Sequence, residues 1–361
     1  TVLNCGFMIV VNAKFLTQTI TGVQRYALEI CKRLPRFIGE EEVVYVSPKA
    51  PLINSISKDI VPIHFGRLPA SLWEQIELPL FLIKNGSPLL INLAGVGPVF
   101  YSNKIMALYD LAFKHHPEWF SFSFQKVYNI LIPIGLKNSI KVITDSYYVK
   151  EDINRTYGVN LNKIEVIYAA PSKMFYNQNL KREKFILTVS SIDPRKNLKA
   201  VIQSFKNLDT DYKLIIVGKR NHIFSNFDLE DEINDSKINF TGYLSDEKLV
   251  ELYNKASIFI YASLFEGFGM PPLEAQACGC SCIVSNTTSL PEVYQGSVEY
   301  CSPEDNESIT AAMQELIENE NKRVDLKKSG FENVLRFSWS TSANQLQKVI
   351  EQTTYEKSAN T

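Results

Sequence analysis

The sequence predicts an α/β protein of two doubly wound domains, each a parallel sheet covered by helices. Three observations carry this. A chain of 361 residues is too long for one ordinary hydrophobic core and suits two. In both halves, short β-branched or aromatic runs alternate with segments of helical period, the grammar of parallel strands joined by crossover helices. A hydrophobic content of 45%, with 21% charged residues, excludes disorder, collagen-like repeats and coiled coil.

The first half supplies strands at FMIVV (7–11), VVYV (43–46), PLLIN (88–92), IMALY (105–109) and KVITD (141–145). A helix follows Gly22, because Val23, Tyr26, Ala27, Ile30 and Leu34 recur on one face. The second half is clearer. FILTVS (185–190) reads as a buried strand, and Leu198, Val201, Ile202, Phe205 and Leu208 then mark an amphipathic helix with Asn197 as its N-cap. KLIIV (213–217) ends at Gly218, and KINF (237–240) ends at Gly242. Ser245, Asp246 and Glu247 open a helix with Leu249, Leu252, Tyr253 and Ala256 on one face. IFIYA (258–262), a helix around 273–277 and SCIVS (281–285) complete the pattern. Pro171 and the aperiodic NQNLKREK mark a boundary between Ala169 and Lys184. The expected domains are 1–170 and 171–337, with 338–361 returning to the first as a final helix. Doubly wound sheets bind ligands beyond the C-terminal ends of their strands, so the chemistry is expected in a cleft between the two domains.

Several function classes fall away. A formal net charge of -1 argues against a global grip on nucleic acid. The longest apolar stretch, 87–101, is broken by Asn92, Gly95, Gly97 and Pro98, short of a membrane-spanning helix. The first residues lack a basic segment followed by an apolar core and cleavage site, so neither export nor an anchor is expected. Cys278, Cys280 and Cys282 alternate as they would along one strand face. Metal sites favour a C-x2-C spacing, so small buried thiols in a reducing compartment are the expected reading.

Two loops carry the candidate chemistry. EGFGMPPLE (266–274) lies between a strand and a helix, at the ligand-binding edge. Gly267 and Gly269 let the backbone turn or approach a ligand, Pro271 or Pro272 suits the first helical position, and the helix N-terminus favours an anion. Glu274, expected in the first turn, has the chemistry to accept two hydroxyls, as from a ribose, and Glu266 to meet another polyol. SSIDPRKN (190–197) follows the strand FILTVS and offers adjacent cations, Arg195 and Lys196, suited to a diphosphate. In the first half, Gly22 between strand and helix suits a phosphate, and Asp110 after IMALY suits an acceptor hydroxyl. A turn or cap role for Asp110 remains the alternative.

Across almost its whole length the chain resembles retaining glycosyltransferases of family 4. The resemblance rests on TGVQRYALEI, YDLAFKHHPEWF, TDSYYVKEDI, VSSIDPRKNL, FTGYLSDEKLVELY, EGFGMPPLEAQACG and the late FSWS. Its most specific part is the E-x7-E element of Glu266 and Glu274 together with Arg195 and Lys196. The family implies the GT-B fold, two Rossmann-like domains facing a cleft. It implies that Arg195 and Lys196 bind the donor diphosphate and Glu274 the ribose. Glu266 and the backbone of Gly267, Phe268, Gly269 and Met270 would bind the transferred sugar, with Gly242, Tyr243 and Leu244 beside the nucleobase and Gly218 at the neighbouring strand end. The chain departs from the family at Tyr109, where many relatives carry His, and at Ser281, where Pro is usual.

The mechanism so implied needs no metal and no cofactor, because fixed cations stabilise the departing diphosphate. A metal-dependent D-x-D transferase would use Asp209-Thr210-Asp211, but that triplet precedes a strand, at the wrong sheet edge. A dinucleotide dehydrogenase lacks its G-x-G-x-x-G here. A nucleotide-sugar epimerase or phosphorylase, a UDP-hexose-dependent transferase and a non-catalytic sensor remain rivals. Resemblance to bacterial O-antigen and polysaccharide mannosyltransferases implies a GDP-mannose donor, a lipid-linked saccharide acceptor and a cytoplasmic site at the inner membrane face. HHPEWFSFSFQKVY (115–128), with Trp119, Phe120, Phe122 and Phe124, offers aromatics for such a surface, with burial in the core as the alternative.

Overall fold

A computed structural model describes residues 9–39, 42–55, 61–191, 193–218 and 235–359. The chain divides into two compact units, Thr1–Asp110 with Lys126–Ala169 and Ser338–Thr361, and Leu111–Gln125 with Ala170–Phe337. In the second unit the rings of His115 and His116 lie 5.8 Å from that of Phe265.

The first unit is built on a seven-stranded sheet of order β3-β2-β1-β4-β5-β6-β7. Its strands are β1 (Ile9–Asn12), β2 (Val43–Ser47), β3 (Ile63–His64), β4 (Leu89–Asn92), β5 (Lys104–Ala107), β6 (Lys141–Thr144) and β7 (Ile164–Val166). Every pairing is parallel, with Ile9 beside both Val43 and Leu89. Phe7 and Met8 of the expected first strand lie outside the described residues. Central strands buried on both faces need apolar residues at consecutive positions, which Val10, Val11, Leu90 and Ile91 supply. A helical run covers this sheet as Ala70–Leu72, a π-helical Trp73–Glu77 and Leu78–Lys84. It packs Trp73, Leu78, Phe81 and Leu82 against Val10, Val46 and Leu90.

The helix Gly22–Cys31 holds the end of the chain to this unit. Tyr26 stacks edge-on with Trp339 at 5.4 Å, at the start of the helix Trp339–Ala359, and donates to the Ile167 carbonyl at 3.0 Å. Ser342 donates to the Tyr168 carbonyl at 2.6 Å.

The second unit carries a six-stranded parallel sheet of order β10-β9-β8-β11-β12-β13. The strands are β8 (Glu183–Val189), β9 (Lys213–Val217), β10 (Ile238–Gly242), β11 (Ala256–Tyr261), β12 (Ser281–Ser285) and β13 (Glu299–Cys301). Ile186, Leu214, Ile258 and Ile283 form its core with Leu198, Val201, Ile202 and Phe205 of the helix Leu198–Lys206.

Three local expectations are corrected. Asn197 stands at the N-cap position in a left-handed conformation (φ 55°), so its side chain turns away from the helix and donates to the Ala262 and Pro303 carbonyls at 3.1 and 2.6 Å. Ala256 belongs to β11, because the helix Asp246–Lys255 stops one residue earlier. Only Cys282 of the three alternating cysteines lies in a strand. Cys278 caps a helix and Cys280 follows a left-handed Gly279, and all three are buried free thiols. Of the aromatics offered for a surface contact, Trp119 is buried in the 3₁₀ turn Pro117–Trp119, whereas Phe122, at the start of the next helix, is exposed.

Candidate functional site

The order of the second sheet reverses between β8 and β11, which lie side by side at its centre. In a doubly wound sheet this switch point opens a crevice at the C-terminal strand ends, because the flanking connections leave in opposite directions. The two loops singled out by sequence leave these two strands. Arg195 and Lys196 lie in the 3₁₀ turn Pro194–Lys196 after β8, and Glu266 lies in the loop after β11. Leu264 N–H donates to the Arg195 carbonyl at 2.9 Å, joining the loops through the backbone.

At the centre of the crevice, Lys196 Nζ donates to Glu266 Oε1 at 2.6 Å and to the Tyr261 hydroxyl at 2.7 Å, and that hydroxyl donates to Glu266 Oε1 at 3.0 Å. Lys196 also sits 5.0 Å from the Tyr261 ring centre. Glu266 is 6% exposed. Burial alone raises its carboxyl, but the Lys196 and Arg195 charges outweigh burial and hold it below its ordinary value. Arg195 Nε lies 3.8 Å from Asp193 Oδ1, and Ser191 donates to Asp193 Oδ2 at 2.6 Å. Each cation therefore faces an acid of its own.

The loop after β12 grips Glu266 by its backbone. Glu266 N–H donates to Thr288 Oγ1 at 3.2 Å, and Ser289 Oγ donates to the Glu266 carbonyl at 3.0 Å. Thr288 does this from φ 56°, a conformation that a β-branched residue rarely adopts.

Gly269, at φ 83°, caps the helix Met270–Ala277, and a Cβ there would lie 2.5 Å from Leu290. Met270 opens that helix, and Pro271 and Pro272 follow without N–H groups, so fewer donors face an anion than the sequence suggested. Glu274 lies one turn further along than expected, outside the first turn, because the helix starts at Met270. It is buried and accepts from the Tyr253 hydroxyl at 3.1 Å. Burial, and then the Glu274 charge, push the Tyr253 phenol well above its usual value. Gly267 is buried in the same loop, and the ring of Phe268 packs edge-on against Phe337 at 5.6 Å.

Gly218 is required by packing, since a Cβ would stand 1.7 Å from the Ser190 carbonyl oxygen, and its N–H donates to Gly242 O at 3.0 Å. Beyond Gly242, Tyr243 is exposed, whereas Leu244 lines a cavity of about 290 Å³ with Phe185, Ile215 and Leu252. Asp209-Thr210-Asp211 precedes β9, where Asp211 pairs with the exposed Lys184 at 2.6 Å.

Gly22 and Asp110 belong to the first unit. Gly22 opens its helix behind Thr21, whose N–H donates to Gln24 Oε1 at 3.2 Å, and a Cβ on Gly22 would meet nothing within 4 Å. Asp110 follows β5 and lies close enough to Tyr128 to raise its phenol, after burial and Glu74. Tyr109 donates to the Leu93 carbonyl at 2.6 Å and packs edge-on against Tyr26. The first sheet has its own switch point between β1 and β4. There Lys14 Nζ donates to Glu74 Oε2 at 2.5 Å, and Asn12 Nδ2 to Glu74 Oε1 and Asn92 Oδ1 at 2.7 and 2.6 Å.

Sequence reasoning found the loops but missed Asp193, Tyr261, Thr288, Ser289 and Tyr253. Asp193 and Tyr261 carried a signal, since each is a polar residue at the C-terminal end of an apolar strand or in the loop after it.

Residues 171–333 match the family model described as glycosyl transferases group 1. The O-antigen chain mannosyltransferase RfbU of Salmonella typhimurium is 28% identical, over 85% of this chain and 90% of that protein. The sucrose-phosphate synthase of Thermosynechococcus elongatus superposes with a TM-score of 0.77 at 17% identity, covering 96% of this chain and 99% of its own. Anabaena Alr3699/HepE in complex with UDP-glucose does so at 0.75 and 14% identity, with coverages of 96% and 99%. Two parallel doubly wound units, cations and a carboxylate gathered at one switch point, and these likenesses converge. The chain is a glycosyltransferase of the GT-B fold, like those of family 4, and is similar to bacterial O-antigen mannosyltransferases.

Proposed function

We propose that this glycosyltransferase moves a hexose from a nucleoside diphosphate sugar, with retention at the anomeric carbon, onto a lipid-linked saccharide during polysaccharide synthesis. Mannose from GDP-mannose is the first choice of donor, supported by the likeness to RfbU. A UDP-hexose donor is the second reading, supported by the UDP-glucose held by the Anabaena relative in its crystal structure. The observation that carries the proposal is the Lys196–Glu266 pair at 2.6 Å in the switch-point crevice of the second sheet.

An ammonium has three donors, and Lys196 spends two on Glu266 and Tyr261. The third is available to a phosphate oxygen, and the Arg195 fork supplies bidentate contact to the same diphosphate. As the glycosyl–phosphate bond loosens toward an oxocarbenium-like state, negative charge grows on the leaving diphosphate. These cations stabilise it without reorganising, because Glu266, Tyr261 and Asp193 already hold them. No metal is needed for that step. Glu266, with Gly267 to Met270, binds the hydroxyls of the transferred sugar, and Glu274 binds the ribose. The leaving phosphate accepts the acceptor's proton on the face it departs from, which retains configuration. In the first unit, Asp110 is the candidate for orienting an acceptor hydroxyl, and Gly22, at a helix N-terminus, is the candidate for a phosphate. The enzyme works in the cytoplasm, at the inner face of the plasma membrane.

The test is release of nucleoside diphosphate from GDP-mannose and UDP-glucose, with and without a lipid-linked acceptor, in EDTA. Acceptor-dependent release, with the product anomer matching the donor, is expected. Conversion of the sugar without acceptor would make the chain an epimerase, and binding without turnover would make it a sensor.

A further inference from the structure

Tyr253 lies on the helix Asp246–Lys255, which precedes β11, and Glu274 on the helix Met270–Ala277, which follows it. The Tyr253 ring is fully buried, edge-on to Phe175 at 5.7 Å and to Phe259 at 5.4 Å. A phenylalanine would fill that place equally well. Burying a hydroxyl is costly without a hydrogen-bond partner, and the partner here is Glu274 Oε2 at 3.1 Å. Burial, and then the Glu274 charge, keep the proton on the phenol. The bond therefore has one polarity, with Tyr253 donating and Glu274 accepting.

A carboxylate needs such a donor if its plane is to be fixed. The last torsion of a glutamate side chain is broad and roughly two-fold, so packing around the chain leaves the carboxylate plane loosely set. Receiving two neighbouring ribose hydroxyls requires one particular plane. A carboxylate has about four acceptor positions, enough for a tyrosine and a diol together.

The donor is itself held in place. Arg182 Nη1 donates to the carbonyls of Tyr253 and Ala256 at 2.6 and 2.9 Å, and Nη2 donates to the Cys278 carbonyl at 2.6 Å. One guanidinium thus joins the C-terminal end of the helix that carries Tyr253 to the C-cap of the helix that carries Glu274. The neighbouring Asn254 accepts from Gln178 N–H at 2.7 Å and donates to the Tyr176 carbonyl at 3.0 Å. Tyr253 cannot turn away without breaking these bonds.

We propose that Tyr253 is a positioning residue for the nucleotide sugar: its hydroxyl holds the Glu274 carboxylate in the plane that receives both hydroxyls of the ribose. This rests on the reading of Glu274 as the ribose contact. Tyr253 touches no substrate, and its effect passes entirely through Glu274.

The test is calorimetric titration of wild type, Tyr253→Phe, Glu274→Ala and the double variant with GDP and UDP, and with the analogues of each that lack both ribose hydroxyls. For whichever of GDP and UDP wild type binds more tightly, Tyr253→Phe weakens binding at least fivefold, while binding of the analogue changes less than twofold. The retained analogue affinity shows that the variant is folded. In turnover, the donor KM rises by the same factor and kcat changes less than threefold. In the Glu274→Ala background the tyrosine substitution adds no further loss. Equal losses for nucleotide and analogue, no loss for either, or a further loss in the double variant would each overturn the proposal. Failure of the ribose reading would appear separately, as a wild type that binds nucleotide and analogue equally, or as a Glu274→Ala variant that weakens both alike.

Discussion

Lys196 and Glu266, 70 positions apart in sequence, meet at 2.6 Å in the crevice between β8 and β11, with Tyr261 bonded to both. Their side chains are 10% and 8% exposed, so neither charge is tolerated there without the other. The pair fixes an ammonium in the crevice and keeps the carboxylate ionised.

Removing one member leaves the other uncompensated. Lys196→Met is expected to lower stability by about 3–5 kcal/mol, the usual cost of breaking a buried pair from one side. Glu266→Gln keeps an acceptor and costs less. Urea unfolding of the three chains measures both, and Lys196→Met within about 1 kcal/mol of wild type would show that the pair is not held in the folded chain.

The pair also predicts a pH dependence. Glu266 has its folded carboxyl held below an ordinary value near 4.5. Its contribution to stability is therefore fully present above pH 4.5 and is lost as the pH falls through the depressed folded value. The stability gap between wild type and Glu266→Gln is expected to be constant from pH 5 to 7 and to shrink below it. A gap that widened on acidification would contradict the sign.

Thr288 holds the Glu266 N–H from a strained φ of 56°. Thr288→Gly relieves the strain and removes the hydroxyl together. Its stability is expected to stay within about 1 kcal/mol of wild type, while kcat falls at least tenfold with KM little changed. Unaltered kcat in a stable variant would mean the strain serves packing alone.

Two of the glycines named for donor binding, Gly218 and Gly22, differ in what surrounds them. A Cβ on Gly218 would overlap the Ser190 carbonyl, whereas one on Gly22 meets nothing within 4 Å. Gly218→Ala is expected to lower the thermal midpoint markedly and Gly22→Ala to leave it unchanged. If Gly22→Ala nevertheless lowers kcat/KM, its backbone approaches the substrate. Full activity would remove Gly22 from the site.

Much of the architecture was legible because parallel strands buried on both faces must be continuous in apolar residues. KLIIV and SCIVS coincide with β9 and β12. The two loops were legible because they follow apolar strands on one sheet, so that Arg195 and Lys196 after β8 and the glycines after β11 fall at the same sheet edge. Partners were not, since Lys196 finds Glu266 only after the β11 connection brings them together. Asn197 misled because capping residues also tolerate left-handed backbone, and there its amide serves two distant carbonyls. The cysteine spacing misled because a helix end and a turn reproduce a strand's alternation by coincidence.

The central claim is that Arg195 and Lys196 stabilise charge on a departing diphosphate. Single-turnover rates for Arg195→Ala with GDP-mannose and a lipid-linked acceptor test it most directly. Loss of one preorganised donor should reduce the rate by about 10² to 10³, with nucleoside diphosphate affinity reduced as well. A rate within about threefold of wild type would contradict the account.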